Sequence, residues 1–408
     1  MKESIYLINM LLAALMLFGC TEEEHTPLSE DGVSPQVITD IEVEPLNGGF
    51  NITYNLPKDE DLLYVKAYYT NSKGEESTVV SSAYKKSVEI VGYGDTEEKT
   101  IKLQTIDRSQ NRSEFVTVTG VPLEPVVNKV AKTITMTEGW GGLNYQVINS
   151  EKDELIIDLI ANEIEINEET GNRSYGKFKA LKTLYTKLDT ITAVLRGYDP
   201  VPTTFAALVK DIYGNTSDTI YPSTPNGQLI PWEEILLDKD KITEAKQPND
   251  NNWSQWGTSF LNALDGVLGS NASNVTHTED NAFPFKLTID LGADVILSRF
   301  KIWKNDYGSL SSSYGHNNPR TMEVYGASTI PNTDGSLDGW TYLGRFEAIK
   351  PSGSGAFTPA DEQHVLEGDE FEFDNAPELR YMKILFLDNW GGTSSLSFSE
   401  ISFWGRYN

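Results

Sequence analysis

Two polar stretches carry the side chains best suited to holding a ligand. The first runs from Asn305-Asp306-Tyr307-Gly308 through Tyr314-Gly315-His316-Asn317-Asn318-Pro319-Arg320 and mixes aromatic rings with amides, an imidazole and a guanidinium. The second, Asp388-Asn389-Trp390-Gly391-Gly392, sets an indole between polar residues and glycines, where more exposure is expected than for tryptophans inside strand patterns. Rings supply a flat apolar face, and polar groups supply donors and acceptors in fixed geometry; this is the chemistry of non-covalent recognition. Bond-breaking arrangements are scarce. No G-x-S-x-G, H-E-x-x-H, P-loop or cysteine–histidine pattern occurs, and the four histidines, His25, His277, His316 and His364, lack metal-ligand spacing. With 60 acidic residues, a pair of carboxylates able to hydrolyse a glycosidic bond stays open on sequence alone.

Two further segments share one spacing: Asp107, Asn111, Ser113 and Glu114 match Asp211, Asn215, Ser217 and Asp218. Oxygen-rich loops of this kind can hold a hard cation. The same residue types also satisfy their own backbone in a hairpin turn, and the strand-like runs on either side favour the turn. Cys20 is the only cysteine, so it has no disulfide partner, and it follows an apolar run from Tyr6 to Phe18. That run fits a secretory core and is short of the roughly 20 residues that span a bilayer. Leu17-Phe18-Gly19-Cys20 resembles a bacterial lipobox, which implies removal of residues 1–19 and acylation of Cys20. Thr21-Glu22-Glu23-Glu24 resembles the surface-export tag of lipoproteins from glycan-utilising Gram-negative bacteria; the plain alternative is a solvated acidic linker.

The elements that must position these residues read as strands. Residues 20–37 are acidic and poor in bulky apolar side chains, as in a flexible tether. From Ile38, alternation such as Phe50-Asn51-Ile52-Thr53-Tyr54 and Phe115-Val116-Thr117-Val118 recurs between turn residues, and helical periodicity is nearly absent. A second segment repeats the first: Gly48-Gly49-Phe50-Asn51 aligns with Gly141-Gly142-Leu143-Asn144, and Leu62-Leu63 with Leu155-Ile156. A recurrence of roughly 100 residues is the size of one immunoglobulin-like or fibronectin type III sandwich. Two tandem copies are therefore expected, at 38–124 and 125–225. Seven of the eight tryptophans lie beyond the Pro222-Ser223-Thr224-Pro225 punctuation. A formal charge of −27 repels phosphates and anionic headgroups, which argues against a nucleic-acid partner.

Residues 226–408 resemble the discoidin-like (coagulation factor type C) domain, a group that includes carbohydrate-binding module family 32. The matching pieces come in series: Asn262-Ala263-Leu264-Asp265-Gly266, Leu287-Thr288-Ile289-Asp290-Leu291-Gly292, Arg299-Phe300-Lys301-Ile302-Trp303, Pro319-Arg320 with Glu323-Val324-Tyr325-Gly326-Ala327-Ser328, Trp340, Arg380-Tyr381-Met382-Lys383-Ile384, and Phe398-Ser399-Glu400-Ile401 before Trp404-Gly405. The resemblance implies a jelly-roll sandwich with its ligand at the loops of one end, so the expected fold class is all-β: two sandwiches, then the jelly roll.

It also implies a polysaccharide or oligosaccharide ligand, for which the two polar loops offer Asn305, Tyr307, His316, Arg320, Asn389 and Trp390, and a structural calcium ion between Asp265 and Glu400; the plain alternative to the calcium is that Asp265 caps a turn and Glu400 pairs with a basic group. Trp253 and Trp256 are expected either to form a second stacking surface or to tuck into the sandwich edge. The combined reading is a non-catalytic lipoprotein of the outer membrane and cell surface that captures glycan beside an importer complex. The alternatives are a structural or adhesion protein docking a protein partner, and a glycoside hydrolase.

Overall fold

The computed structural model describes residues 31–408 except 167–169, 171–172 and 270–273. Cys20 lies outside the described residues. The chain divides into two compact units, one comprising Met1–Thr135, Gln146–Ile191 and Phe205–Tyr221, the other Met136–Tyr145, Thr192–Thr204 and Pro222–Asn408. Both are built from antiparallel strands, so the chain is all-β as its alternation predicts.

In the first unit, β1 (Thr39–Leu46), β2 (Gly49–Asn55), β3 (Leu62–Thr70), β4 (Glu76–Ser82), β5 (Ser87–Val91), β6 (Lys99–Asp107) and β7 (Val116–Gly120) form two sheets, β1-β2-β5 and β4-β3-β6-β7. Every second residue points into one core of Phe50, Ile52, Val65, Ala67, Val88, Ile90, Ile101 and Leu103. A short helix, α1 (Val126–Ala131), follows Pro125. Next come β8 (Thr135–Gly139), β9 (Gly142–Ile148), β10 (Leu155–Ile166), β11 (Arg173–Thr186), β12 (Thr190–Arg196) and β13 (Thr203–Asp211), with sheet orders β12-β9-β8 and β11-β10-β13, the latter extended by β14 (Gln228–Leu229).

The two Asp-x-x-x-Asn segments are matching turns. Asp107 Oδ1 accepts from the Asn111 amide at 2.8 Å and Oδ2 from Asn111 Nδ2 at 3.0 Å; Asp211 does the same to Asn215 at 2.9 and 2.7 Å. Ser113 Oγ accepts from the Thr105 amide and Ser217 Oγ from that of Val209. Both carboxylates bond inside their own hairpins, as the turn reading requires, and that of Asp107 also lies within 4.8 Å of those of Asp31 and Asp61.

The second unit contains β15 (Ile235–Leu236), β16 (Thr243–Glu244), β17 (Thr276–His277), β18 (Phe285–Lys304), β19 (Thr321–Ala327), β20 (Thr341–Glu347), the helix α2 (Pro359–Glu367), β21 (Asp369–Glu372), β22 (Glu378–Phe386) and β23 (Ser397–Tyr407). Strand β18 is the spine. Its first half pairs with β22 from Phe285 to Asp290, and its second half with β23 from Val295 to Lys304. The sequence predicts two strands with a turn at Gly292; the glycine instead bends one strand. Gly292 has φ of 80°, and a Cβ there would lie 2.5 Å from the Lys241 carbonyl, so no other residue fits this bend without displacing its neighbour. Strand β22 lies between β18 and β19, and Met382 to Phe386 are all buried, as expected of a central strand.

The core gathers around Phe300, whose ring lies 4.9 to 5.6 Å from those of Phe346, Phe371 and Phe373. A wholly buried ion pair, Lys383 to Asp250 at 3.0 Å, ties β22 to the loop after β16. Arg380 grips Asp290 with two hydrogen bonds of 2.9 Å just before the bend in β18.

Candidate functional site

Register places three loops at one end of the second unit. Lys304 and Thr276 both pair with Phe398, and Met322 pairs with Phe386, so the described parts of the loop before β17, residues 245–269 and 274–275, emerge together with the loops of residues 305–320 and 387–396.

Asparagines build the frame beneath them. Asn305 is 4% exposed; its amide donates to Asn318 Oδ1 at 2.8 Å, and its side chain donates to Ser397 Oγ at 3.0 Å. Asn318 Nδ2 returns to the carbonyls of Asn305 and Ser313. Asn389, 5% exposed, donates to Thr393 and to the Ser395 carbonyl, and accepts from the Thr393 amide. Asn317 joins two of the loops to β17: its Nδ2 contacts His277 Nε2 at 2.9 Å and Ser395 Oγ at 2.8 Å, while its Oδ1 accepts from Thr393 Oγ1 at 2.7 Å. Buried polar groups must find partners, and here the loops satisfy one another. Gly391 allows the closest approach: its amide donates to the His316 carbonyl at 2.7 Å, where a Cβ would come within 2.3 Å of that oxygen.

What this frame holds outward is a set of rings. The rings of Tyr307 and His316 lie with centroids 4.6 Å apart, inclined at 33°, and both residues are exposed. Burial pushes the Tyr307 phenol above its ordinary value, against opposing hydrogen bonds to Ser397, the Asn317 backbone and Asn305. On the third loop, Trp256 is 78% exposed, while Trp253, three residues earlier, is 3% exposed and packs on Phe386 and Phe398. Trp256, Tyr307 and His316 have φ of 60°, 48° and 51°. They are half of the six non-glycine residues with positive φ among the described residues, and left-handed backbone is costly for bulky side chains.

The residues singled out from sequence therefore divide. Tyr307 and His316 meet at the surface. Asn305 and Asn389 lie beneath it as frame. Trp390 is only half-exposed: its ring packs against the core and meets Tyr314 edge-on at 5.2 Å, and its Nε1 is buried, in contrast to the exposure its glycine-rich context predicts. Arg320 sits over the Trp390 ring at 5.4 Å and pairs with Glu347 at 3.0 Å. Trp303 packs under α2, donating from Nε1 to the Leu366 carbonyl at 3.2 Å. The isolation of Trp256 at the surface has no compositional signal beyond the Gly257 that follows it.

Asp265 and Glu400 are close enough to influence one another, but both Glu400 oxygens and one Asp265 oxygen are engaged. Asp265 is exposed, and its Oδ1 accepts from the Val267 amide at 2.8 Å. Glu400, 1% exposed, accepts from Lys239 Nζ at 2.5 Å and from the Gly266 amide at 2.8 Å. Burial holds the Glu400 carboxyl above its ordinary value, against the opposing pull of Lys239. One carboxylate already neutralised by an ammonium does not fit a calcium cage, which needs its formal negative charges free.

Three family models match successive parts of the chain, each described as a domain of unknown function: DUF4959 at residues 35–122, DUF5126 at 123–240 and DUF5000 at 264–405. Among curated proteins no relative matches the chain. Similar solved structures include a SusE-like protein, 29% identical, covering 70% of this chain and 100% of its own, with a TM-score of 0.43. The family 32 carbohydrate-binding module of NanJ from Clostridium perfringens, in complex with galactose, is 15% identical over 42% of this chain and 98% of its own, with a TM-score of 0.29. The C-terminal domain of a chitobiase from Bacteroides fragilis is 15% identical over 43% of this chain and 99% of its own, with a TM-score of 0.30.

Proposed function

We propose that this chain is a non-catalytic glycan-binding lipoprotein that captures polysaccharide at the loop end of its C-terminal jelly roll, tethered at the cell surface through Cys20 and serving an outer-membrane importer. One observation carries the binding reading: Trp256, Tyr307 and His316 are exposed on left-handed backbone, and a satisfied frame of asparagines supports the loop that carries Tyr307 and His316. Strain of this kind persists where the surrounding structure over-determines it, and it concentrates at ligand sites. Exposed rings suit a pyranose, whose apolar face can stack on them. The anchor rests on the lipobox-like Leu17-Phe18-Gly19-Cys20.

Native-gel retardation of residues 21–408 in plant, host and microbial polysaccharides tests this reading. Retardation by one polymer class that Trp256→Ala abolishes is the expected result, with no reducing sugar released on long incubation. A second reading, docking of a protein partner, draws on exposed Leu261, Val267 and Leu268, which belong to the same loop as Trp256. It predicts no retardation by any polymer and recovery of a partner from outer membranes.

A further inference from the structure

The loop end has an ion pair where its family resemblance implies a metal. Lys239 lies in a 3-10 turn, Lys239–Lys241, whose start is capped by the Asp238 side chain. Its ammonium reaches Glu400 on β23 at 2.5 Å; the Lys239 side chain is 21% exposed and that of Glu400 is 2% exposed. The other Glu400 oxygen accepts from Gly266 in the Asp265-Gly266 turn at 2.8 Å. One carboxylate thus joins the 3-10 turn, the loop carrying Trp256 and strand β23. We propose that Lys239 is the resident cation of this loop end, which is therefore ordered without a divalent metal.

The charge balance supports this. An ammonium is a compact point charge with three donors, and it meets the buried Glu400 one for one. A dication bound beside it would face a like charge a few ångströms away, inside a partly dry loop where such repulsion is strong. Neutral oxygens are at hand: Asn274 Oδ1 and Thr276 Oγ1 are buried without a donor. Thr276 pairs with Phe398, and continuing that register by two residues sets Asn274 opposite Glu400. Removing the ammonium would leave the Glu400 carboxylate buried without its counter-charge, with the Asp265 carboxylate in the neighbouring turn, and carboxylates and neutral oxygens of this kind attract calcium. Lys239 thus separates a calcium-independent loop end from a calcium-dependent one.

The test is thermal unfolding of residues 21–408, which keep every described residue, with calcium and with EDTA. The wild-type Tm is expected not to move between the two. Lys239→Ala is expected to lower Tm by roughly 5–10 °C in EDTA, because it strands a buried charge, and to regain part of that in calcium. A saturable rise of the wild-type Tm with calcium, lost in Glu400→Gln, would overturn the proposal. So would a Lys239→Ala variant as stable as wild type in EDTA. Should that variant fail to fold, calorimetric titration of calcium into the wild type decides alone: no binding heat upholds the proposal, and heat that Glu400→Gln removes refutes it.

Discussion

At the scale of single residues, the site is a contest between backbone strain and exposed rings. A left-handed backbone costs a bulky L-residue roughly 1–2 kcal/mol, and glycine escapes that cost at some loss of chain entropy. Trp256→Gly is therefore expected to leave stability unchanged or raise it by about 1 kcal/mol, readable in chemical denaturation, while ligand binding is lost. Tyr307→Ala removes one ring of the Tyr307–His316 pair and should weaken binding about tenfold, with little change in Tm. Tyr307 and His316 were legible in the sequence because rings among Asn and Gly mark a surface loop. The same context predicts exposure for Asn305, Asn389 and Trp390, which the structure buries wholly or in part. An asparagine that caps a neighbouring loop has the same sequence context as one that faces a ligand, and only tertiary packing decides. Trp253 and Trp256 make the point sharply: they stand three residues apart in one polar segment, with 3% and 78% exposure.

At the scale of elements, the bend in β18 and the meeting of two loops position everything else. Asp290 sits just before the bend, accepting from Arg380 and from the Gly292 amide at 2.8 Å, and these bonds, Arg380 first, hold its carboxyl below its usual range. A depressed acid stabilises the fold above its unfolded-state value, about 3.9, and that contribution fades as pH falls through the folded-state value. Asp290→Asn should thus lower Tm at pH 7, and the gap from wild type should close as unfolding is followed below about pH 4. Gly391→Ala drives a methyl into the His316 backbone, so polysaccharide retention should fall by at least about tenfold, with a stability loss of about 1–3 kcal/mol from the local overpacking. Strand alternation made the sheets legible. The helix α2 was missed, although Thr358, Pro359 and Asp361 spell its start: the Thr358 side chain and the Asp361 amide form a capping box, with proline in the first turn. Its short length gives periodicity too few residues to show.

At the scale of the whole molecule, the all-β character follows from alternation, turn residues and a repeat whose two hairpins share the same carboxylate-to-amide bonding. What alternation could not reveal is the ion network of the second unit. There Arg196 and Arg299 share Glu234 and Glu370 at 3.2 to 3.4 Å, and Arg299 stacks on Trp404 at 4.0 Å. These four residues are separated by up to 174 positions in the chain, so no local pattern brings them together. The function proposed for the whole rests on the strained rings at the loop end. The most direct measurement is calorimetric titration of the retarding polysaccharide, or an oligosaccharide cut from it, into wild type and Trp256→Gly. Saturable binding to wild type, lost in a variant that unfolds at the same or a higher temperature, is predicted. Equal affinity in the two proteins would contradict the account.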